Sequence, residues 1–228
     1  MASWMVHLRV ADRLIDKLPP ISNTEFVIGN IAPDSGVPNE DWSVFTPSSE
    51  ISHFRTTDAY GLKEIHEDQF LANYFTKEQC RQYSPKQYAF YLGYLTHLLT
   101  DKMWVRDIVQ PSRLRFPDLY ENDRGKWAQL VKGDWHALDI LYLHKHPDFR
   151  SFILYERAIG FQNTYLDFFS IDAFDNRREY ITATYRKESV APKHQETYLS
   201  EDDIEVFVTN GASEIISILH NLQSIADF

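Results

Sequence analysis

The segment GYLTHLLTDKMWVRD, residues 93 to 107, sets a histidine and an aspartate four positions apart inside an otherwise apolar stretch. The pattern predicts one strongly apolar helix from about residue 85 to 108, ended by Pro111. On such a helix His97 and Asp101 stand one above the other. Trp104 and Ile108 continue their face, so the pair looks inward. Two explanations suit it. Either the residues form a buried hydrogen-bonded pair, or one divalent cation touches imidazole nitrogen and carboxylate oxygen at roughly 2.0–2.2 Å. The second requires more ligands elsewhere in the chain.

The surrounding pattern is also helical. Val10, Ala11, Leu14, Ile15 and Leu18 form a stripe over residues 5 to 18 that Pro19-Pro20 stops, and His7 falls on it. Residues 31 to 52 are rich in Pro, Ser, Asp and Asn; Trp42, Val44, Phe45 and Ile51 predict an ordered loop packed on the body. Helices are expected over 59 to 76 and 126 to 144, with RLRFPDLYENDRG as a charged link between the apolar helix and the second of these. Residues 150 to 172 form an aromatic amphipathic segment. EYITATY, 179 to 185, suits a strand or a helix. A last helix ends near Ser224, with Asn210-Gly211 as a point of interruption. Together these predict an all-α, multi-helix fold in one domain, 1–228.

Net charge limits the partners. At −10, with 43% hydrophobic residues, the chain suits a sizeable core and not a general nucleic-acid coat, so no long nucleic acid is expected. A small anionic substrate is still allowed, because a bound divalent cation reverses the local field. The one cysteine, Cys80, permits no internal disulfide. No run reaches the ~18 apolar residues of a spanning helix, and MASWMVHLRVADRLIDKLPP lacks a secretory signal's apolar core and cleavage site. A soluble, cytoplasmic protein is the expectation.

Asp34, in FVIGNIAPDSG, ends an apolar segment in a Pro-Asp turn, and His53 follows in ISHF. Each has an ordinary explanation: Asp as a turn residue, His as a loop residue, His7 as a satisfied core histidine. Their joint occurrence in this order is harder to dismiss. Carried by His7 in WMVHLRVADRL, Asp34 in GNIAPD, His53 in SHF, and His97 and Asp101 in THLLTD, the chain resembles the zinc-dependent phospholipase C family, which is related to the single-strand-specific zinc nucleases. The agreement runs over roughly the first 110 residues.

The resemblance implies a helical fold with a long ordered loop between the first helices, and a cleft holding up to three zinc ions. Asp34, His53, His97 and Asp101 would hold the first zinc. Asp34 would bridge to a second, and Asp101 to a third that also takes His7. It further implies a metal-dependent phosphoester hydrolase, in which hydroxide made at a di- or trinuclear cluster attacks phosphorus and Asp34 orients or deprotonates the water. The substrate would be a small phosphoester or phospholipid head group. Two alternatives accompany it: a phosphodiesterase for nucleotides or single-stranded nucleic acid, and a non-catalytic metal-stabilised binding protein.

Several departures from the family stand out. Secreted members chelate one zinc with an N-terminal Trp amine, whereas Trp4 is internal here. Asp107 replaces a histidine six positions after Asp101, a harder donor that brings in iron or manganese beside zinc. It lies about 120° round a straight helix from Asp101. A later His/carboxylate pair is represented only by GDWHALDILY, where Asp134 is the preferred ligand and His136 and Asp139 follow it. Ser35 stands where choline-cleaving enzymes place an aromatic residue. Arg113, Arg115 and Arg124 form a cluster suited to a phosphate clamp or to a solvated loop beside Asp118, Glu121 and Asp123.

Overall fold

The computed structural model describes residues 1–41, 43–58, 63–187 and 197–226. Its centre is the apolar helix foreseen above, α6 in a series that begins with α1 (Trp4–Ile15), α2 (Asn23–Ile31), α3 (Ser49–Ser52), α4 (Glu67–Tyr74) and α5 (Lys77–Gln82). In α6 (Pro85–Trp104) every residue from Ala89 to Asp101 is buried. A helix apolar all round can be stable only where other elements cover it. Here α1, α2, α4 and α12 (Glu201–Ala226) do so. Ser84 and Gln87 cap the start of α6 reciprocally, and Pro85 sits in the first turn, where its missing N–H costs nothing.

α2 packs closely on α6. A Cβ added at Gly29 would lie 2.1 Å from the Phe90 carbonyl oxygen, and one at Gly93 would lie 2.1 Å from that of Phe26. Only hydrogen fits at both positions. The two backbones therefore approach more closely than side chains would allow.

The long loop after α2 carries structure of its own, but Val44 and Ile51, expected to pack it on the body, are 57% and 53% exposed. Ala32–Asp34 is a 3₁₀ turn; β1 (Val37–Pro38) pairs antiparallel with β2 (Phe45–Thr46), and α3 follows. Trp42 lies outside the described residues. The helix predicted over 59 to 76 is corrected in part. Residues 59–62 are not described, Lys63–Ile65 is β4 paired with β3 (Arg55–Thr57), and only Glu67–Tyr74 is helical.

Pro111 does not end the apolar helix. A widened π turn, Val105–Val109, leads straight into α7 (Gln110–Arg115), where Pro111 occupies the first turn. The charged link is thus two short helices, α7 and α8 (Pro117–Asn122), before α9 (Arg124–Lys145). Of residues 150 to 172 only α10 (Arg150–Arg157) is helical. The remainder is organised by Asn163, whose side chain accepts from the Tyr165 and Leu166 N–H groups and donates to the Leu166 and Phe169 carbonyls. EYITATY falls within α11 (Ala173–Lys187). α12 runs unbroken through Asn210-Gly211. The described residues form an all-α protein with two small hairpins. Among them no helix is long and apolar enough to cross a membrane.

Candidate metal centre

Five side chains from four elements converge beside α6. His7 comes from α1, Asp34 from the 3₁₀ turn after α2, His53 from the end of α3, and His97 and Asp101 from α6. Ligand-capable atoms of His7, His97 and Asp101 lie within 4.8 Å of one another, as do those of Asp34, His53 and His97. Asp101 is the hub: its carboxylate is 3.3 Å from His7 Nε2, 3.5 Å from His97 Nε2 and 3.8 Å from His53 Nε2. His53 Nε2 is also 3.2 Å from Asp34 Oδ1. The His7 and His97 rings stack at 3.8 Å.

Neighbouring groups orient each donor. His97 Nδ1–H donates to the Asn30 carbonyl at 2.8 Å, which leaves Nε2 with its lone pair toward the cluster. His53 Nδ1 hydrogen-bonds the Ser52 hydroxyl at 2.9 Å. The loop carrying His53 is held by the Tyr94 hydroxyl, which donates to the Ser52 carbonyl. Phe54, next in the chain, adopts a left-handed φ of 48° and sets its ring against Phe70, Tyr74 and Tyr94. That conformation costs roughly 1–2 kcal/mol, which the aromatic packing offsets. The Ala2 N–H donates to Asp101 Oδ1 at 2.7 Å, and Ser3 caps α1.

The cluster is under-satisfied as it stands. Among the described residues, His7 Nδ1 and Nε2, His53 Nε2, His97 Nε2 and Asp101 Oδ2 are buried with no hydrogen-bond partner. Leaving one such group unpaired costs about 1–3 kcal/mol, and here they are concentrated in one place.

Charge points the same way. Although burial opposes it, contacts with His7 and His97 hold Asp101 well below the ordinary carboxylate range. Asp34 is lowered too, with His53 outweighing the burial penalty. Burial and the adjacent His97 push His7 down to about 4. His53 is also lowered by burial, whereas Asp101 and Asp34 overcome burial to raise His97. Two ionised carboxylates thus share a pocket with imidazoles, and among the described residues no Lys or Arg pairs with either. Carboxylate oxygen and imidazole nitrogen without thiolate are donors for zinc, and for iron or manganese as well. By donor type, orphaned atoms and charge, the residues fit a divalent metal.

Asp107 is not part of this group. It is exposed on the widened turn and held by Arg106 Nε and Nη2 at 2.6 and 2.7 Å, and Arg106 in turn pairs with Glu214 of α12. Asp134 is buried but turned to another task. It accepts from the Tyr198 and Leu199 N–H groups at 2.7 and 3.1 Å, anchoring the approach to α12. Asp134→Ala is expected to leave metal content unchanged and to destabilise the fold by about 1–3 kcal/mol, seen as a lower Tm. His136 is exposed, with its ring 6.4 Å from that of Tyr185.

Asp139 is buried between the Ser3 and Tyr185 hydroxyls, each donating at 2.8 Å. Burial raises its carboxyl to about 7, against those hydrogen bonds. With an unfolded value near 3.9, the folded state holds the extra proton between about pH 4 and 7, so this group's contribution to stability declines as pH rises through that window. Asp139→Asn is therefore expected to flatten the fall in Tm between pH 5 and 8, a difference on the order of a few kcal/mol. Equal pH profiles would refute it.

Two supporting residues escaped the sequence reading. Asn30 orients His97, and its own carboxamide is buried without a partner. A polar residue within the apolar FVIGNI run was the available signal. Ser52, on His53, carried none.

Fold and site together define a helical protein with a buried His/Asp cluster whose donors could hold a metal ion. Residues 6–104 match a family model described as zinc dependent phospholipase C. That span is similar to the family and takes in all five clustered residues, while Asp107 and Asp134 lie beyond it. No curated protein and no solved structure matches the chain.

Proposed function

We propose that the protein is a metal-dependent phosphoester hydrolase whose metal is held by His7, Asp34, His53, His97 and Asp101. The observation that supports this most is the group of partnerless buried donor atoms, within the stretch similar to the zinc-dependent phospholipases C. A divalent cation bound there supplies Lewis acidity toward a phosphoryl oxygen and lowers the pKa of water.

The chain's own residues divide the remaining work. Asp101 is the fully buried charge that fixes the site, and Asn30 sets the His97 tautomer. Asp34 is partly exposed and, with His53, borders a cavity of about 360 Å³. That exposure supports Asp34, over the fully buried Asp101, as the carboxylate that orients attacking water or takes its proton. Trp4 and Phe45 line the same cavity, and so does Arg177, which donates to the Gly36 carbonyl at 2.6 Å. A guanidinium already 5.9 Å over the Trp4 ring favours an anionic substrate over a cationic head group.

The test is metal analysis on protein purified without chelator, followed by assays on a phosphodiester, a short-chain phospholipid and a 3′-mononucleotide. Diester turnover reduced at least 100-fold by Asp34→Asn, with metal retained, supports the proposal. Turnover of the mononucleotide alone moves the substrate to nucleotides. Bound metal with no turnover anywhere leaves a metal-stabilised binding protein and removes the enzyme.

A further inference from the structure

A cavity of about 290 Å³ lies between α7 and α8 on one side and the first half of α9 on the other. Lys63 of β4, Arg113 of α7, and Arg124 and Lys132 of α9 line it, over an apolar floor that includes Trp127 and Trp135. Among the described residues no Asp or Glu lines it, in a chain whose net charge is −10. The guanidinium groups of Arg113 and Arg124 lie 4.1 and 5.1 Å over one ring, that of Tyr120. Among the described residues Lys63, Arg113 and Lys132 make no ion pair with a carboxylate. Like charges held together without counter-charge are costly unless an anion joins them.

The cavity adjoins the candidate metal centre. Met1 lines both it and the cavity that opens on Asp34 and His53. The Lys63 ammonium is lowered by burial and by repulsion from Arg55 and Lys132, while the fields of Asp101 and Asp34 raise it.

We propose that this cleft is an anion subsite that binds a second negatively charged group of the substrate, one attached to an apolar or aromatic body. The guanidinium and ammonium groups grip the anion, and Trp127 and Trp135 take the apolar part. The substrate class becomes a phosphoester bearing a further phosphate or carboxylate. This rests on the hydrolase reading for the scissile phosphate; binding in the cleft stands apart from it.

The experiment is calorimetric titration of metal-loaded protein with benzylphosphonate, benzyl alcohol and inorganic phosphate, using wild type and Arg113→Gln/Lys132→Gln. Neither residue is one of the metal donors; Arg113 belongs to α7 and Lys132 to α9, and neither is buried. Benzylphosphonate affinity should fall at least tenfold in the variant and inorganic phosphate bound in the cleft should weaken with it, while metal content stays unchanged. In wild type it should also weaken as salt rises from about 50 to 300 mM, because the shortening Debye length screens the attraction between the phosphonate and exposed cations. No benzylphosphonate binding, equal affinity in the variant, or benzyl alcohol binding as tightly would overturn the proposal. Cleft binding without turnover of any phosphoester overturns the hydrolase reading alone. Turnover with benzylphosphonate affinity indifferent to the variant overturns the cleft alone.

Discussion

Asp101→Ala is expected to abolish metal binding and to lower Tm by about 10 °C. The carboxylate touches three imidazoles and accepts the Ala2 N–H. Removing it leaves those donors facing a buried void. Deleting one partner of a buried charged set costs about 3–5 kcal/mol, and each kcal/mol is worth about 2–4 °C in a chain of this size. Chelating the wild type should reproduce part of the shift, since a ligand present at a thousand times its Kd contributes about 4 kcal/mol. Asp107→Ala, which breaks only an exposed pair with Arg106, should change neither quantity by much. Elemental analysis and thermal melts on the three proteins decide it. A wild type that takes up neither zinc nor manganese, with a Tm indifferent to chelator, would falsify the metal centre and return His97 and Asp101 to a hydrogen-bonded pair.

Gly93→Ala should be nearly as damaging without touching a donor atom. Its new methyl group would meet the Phe26 carbonyl oxygen at 2.1 Å and the Asn30 nitrogen at 2.8 Å, both backbone and unable to rotate aside. α2 and α6 would have to separate, at a cost on the order of 3 kcal/mol. The separation also reaches the site: Gly93 is one turn from His97, and Gly29 adjoins Asn30, whose carbonyl orients that histidine. Loss of such a supporting bond typically weakens metal affinity about 10–100-fold. Gly133→Ala is the control. It lies in α9 with nothing within 4 Å of the added carbon, and should gain up to about 1 kcal/mol from helix propensity. Melting curves and zinc titrations of both variants test this, and equal Tm values would sink the close-approach argument.

Local spacing determined much of this protein. An imidazole and a carboxylate four residues apart share a helix face wherever the helix lies, and Trp104 on that face set its direction. His7 on the α1 stripe, Asp34 after Pro33 and His53 at the end of the loop were legible as single residues, and the resemblance joined them into one set. The start of α6 was equally local, written in Ser84, Pro85 and Gln87.

Where the reading failed, the deciding contact came from far along the chain. Asp107 was placed among the ligands by the resemblance, but it sits on the widened turn from Val105, exposed beside Arg106, which also pairs with Glu214. Asp134 was drawn to Tyr198 and Leu199, more than sixty residues on, because two backbone N–H groups there needed an acceptor. Pro111 read as a stop, yet the helical run passes through it, directly after the widened turn Val105–Val109. Lys63, Arg113, Arg124 and Lys132 share a cleft only because β4, α7 and α9 are brought together. Periodicity reports neighbours within one element; which elements meet depends on the summed packing of the whole core, and only the tertiary structure decided that.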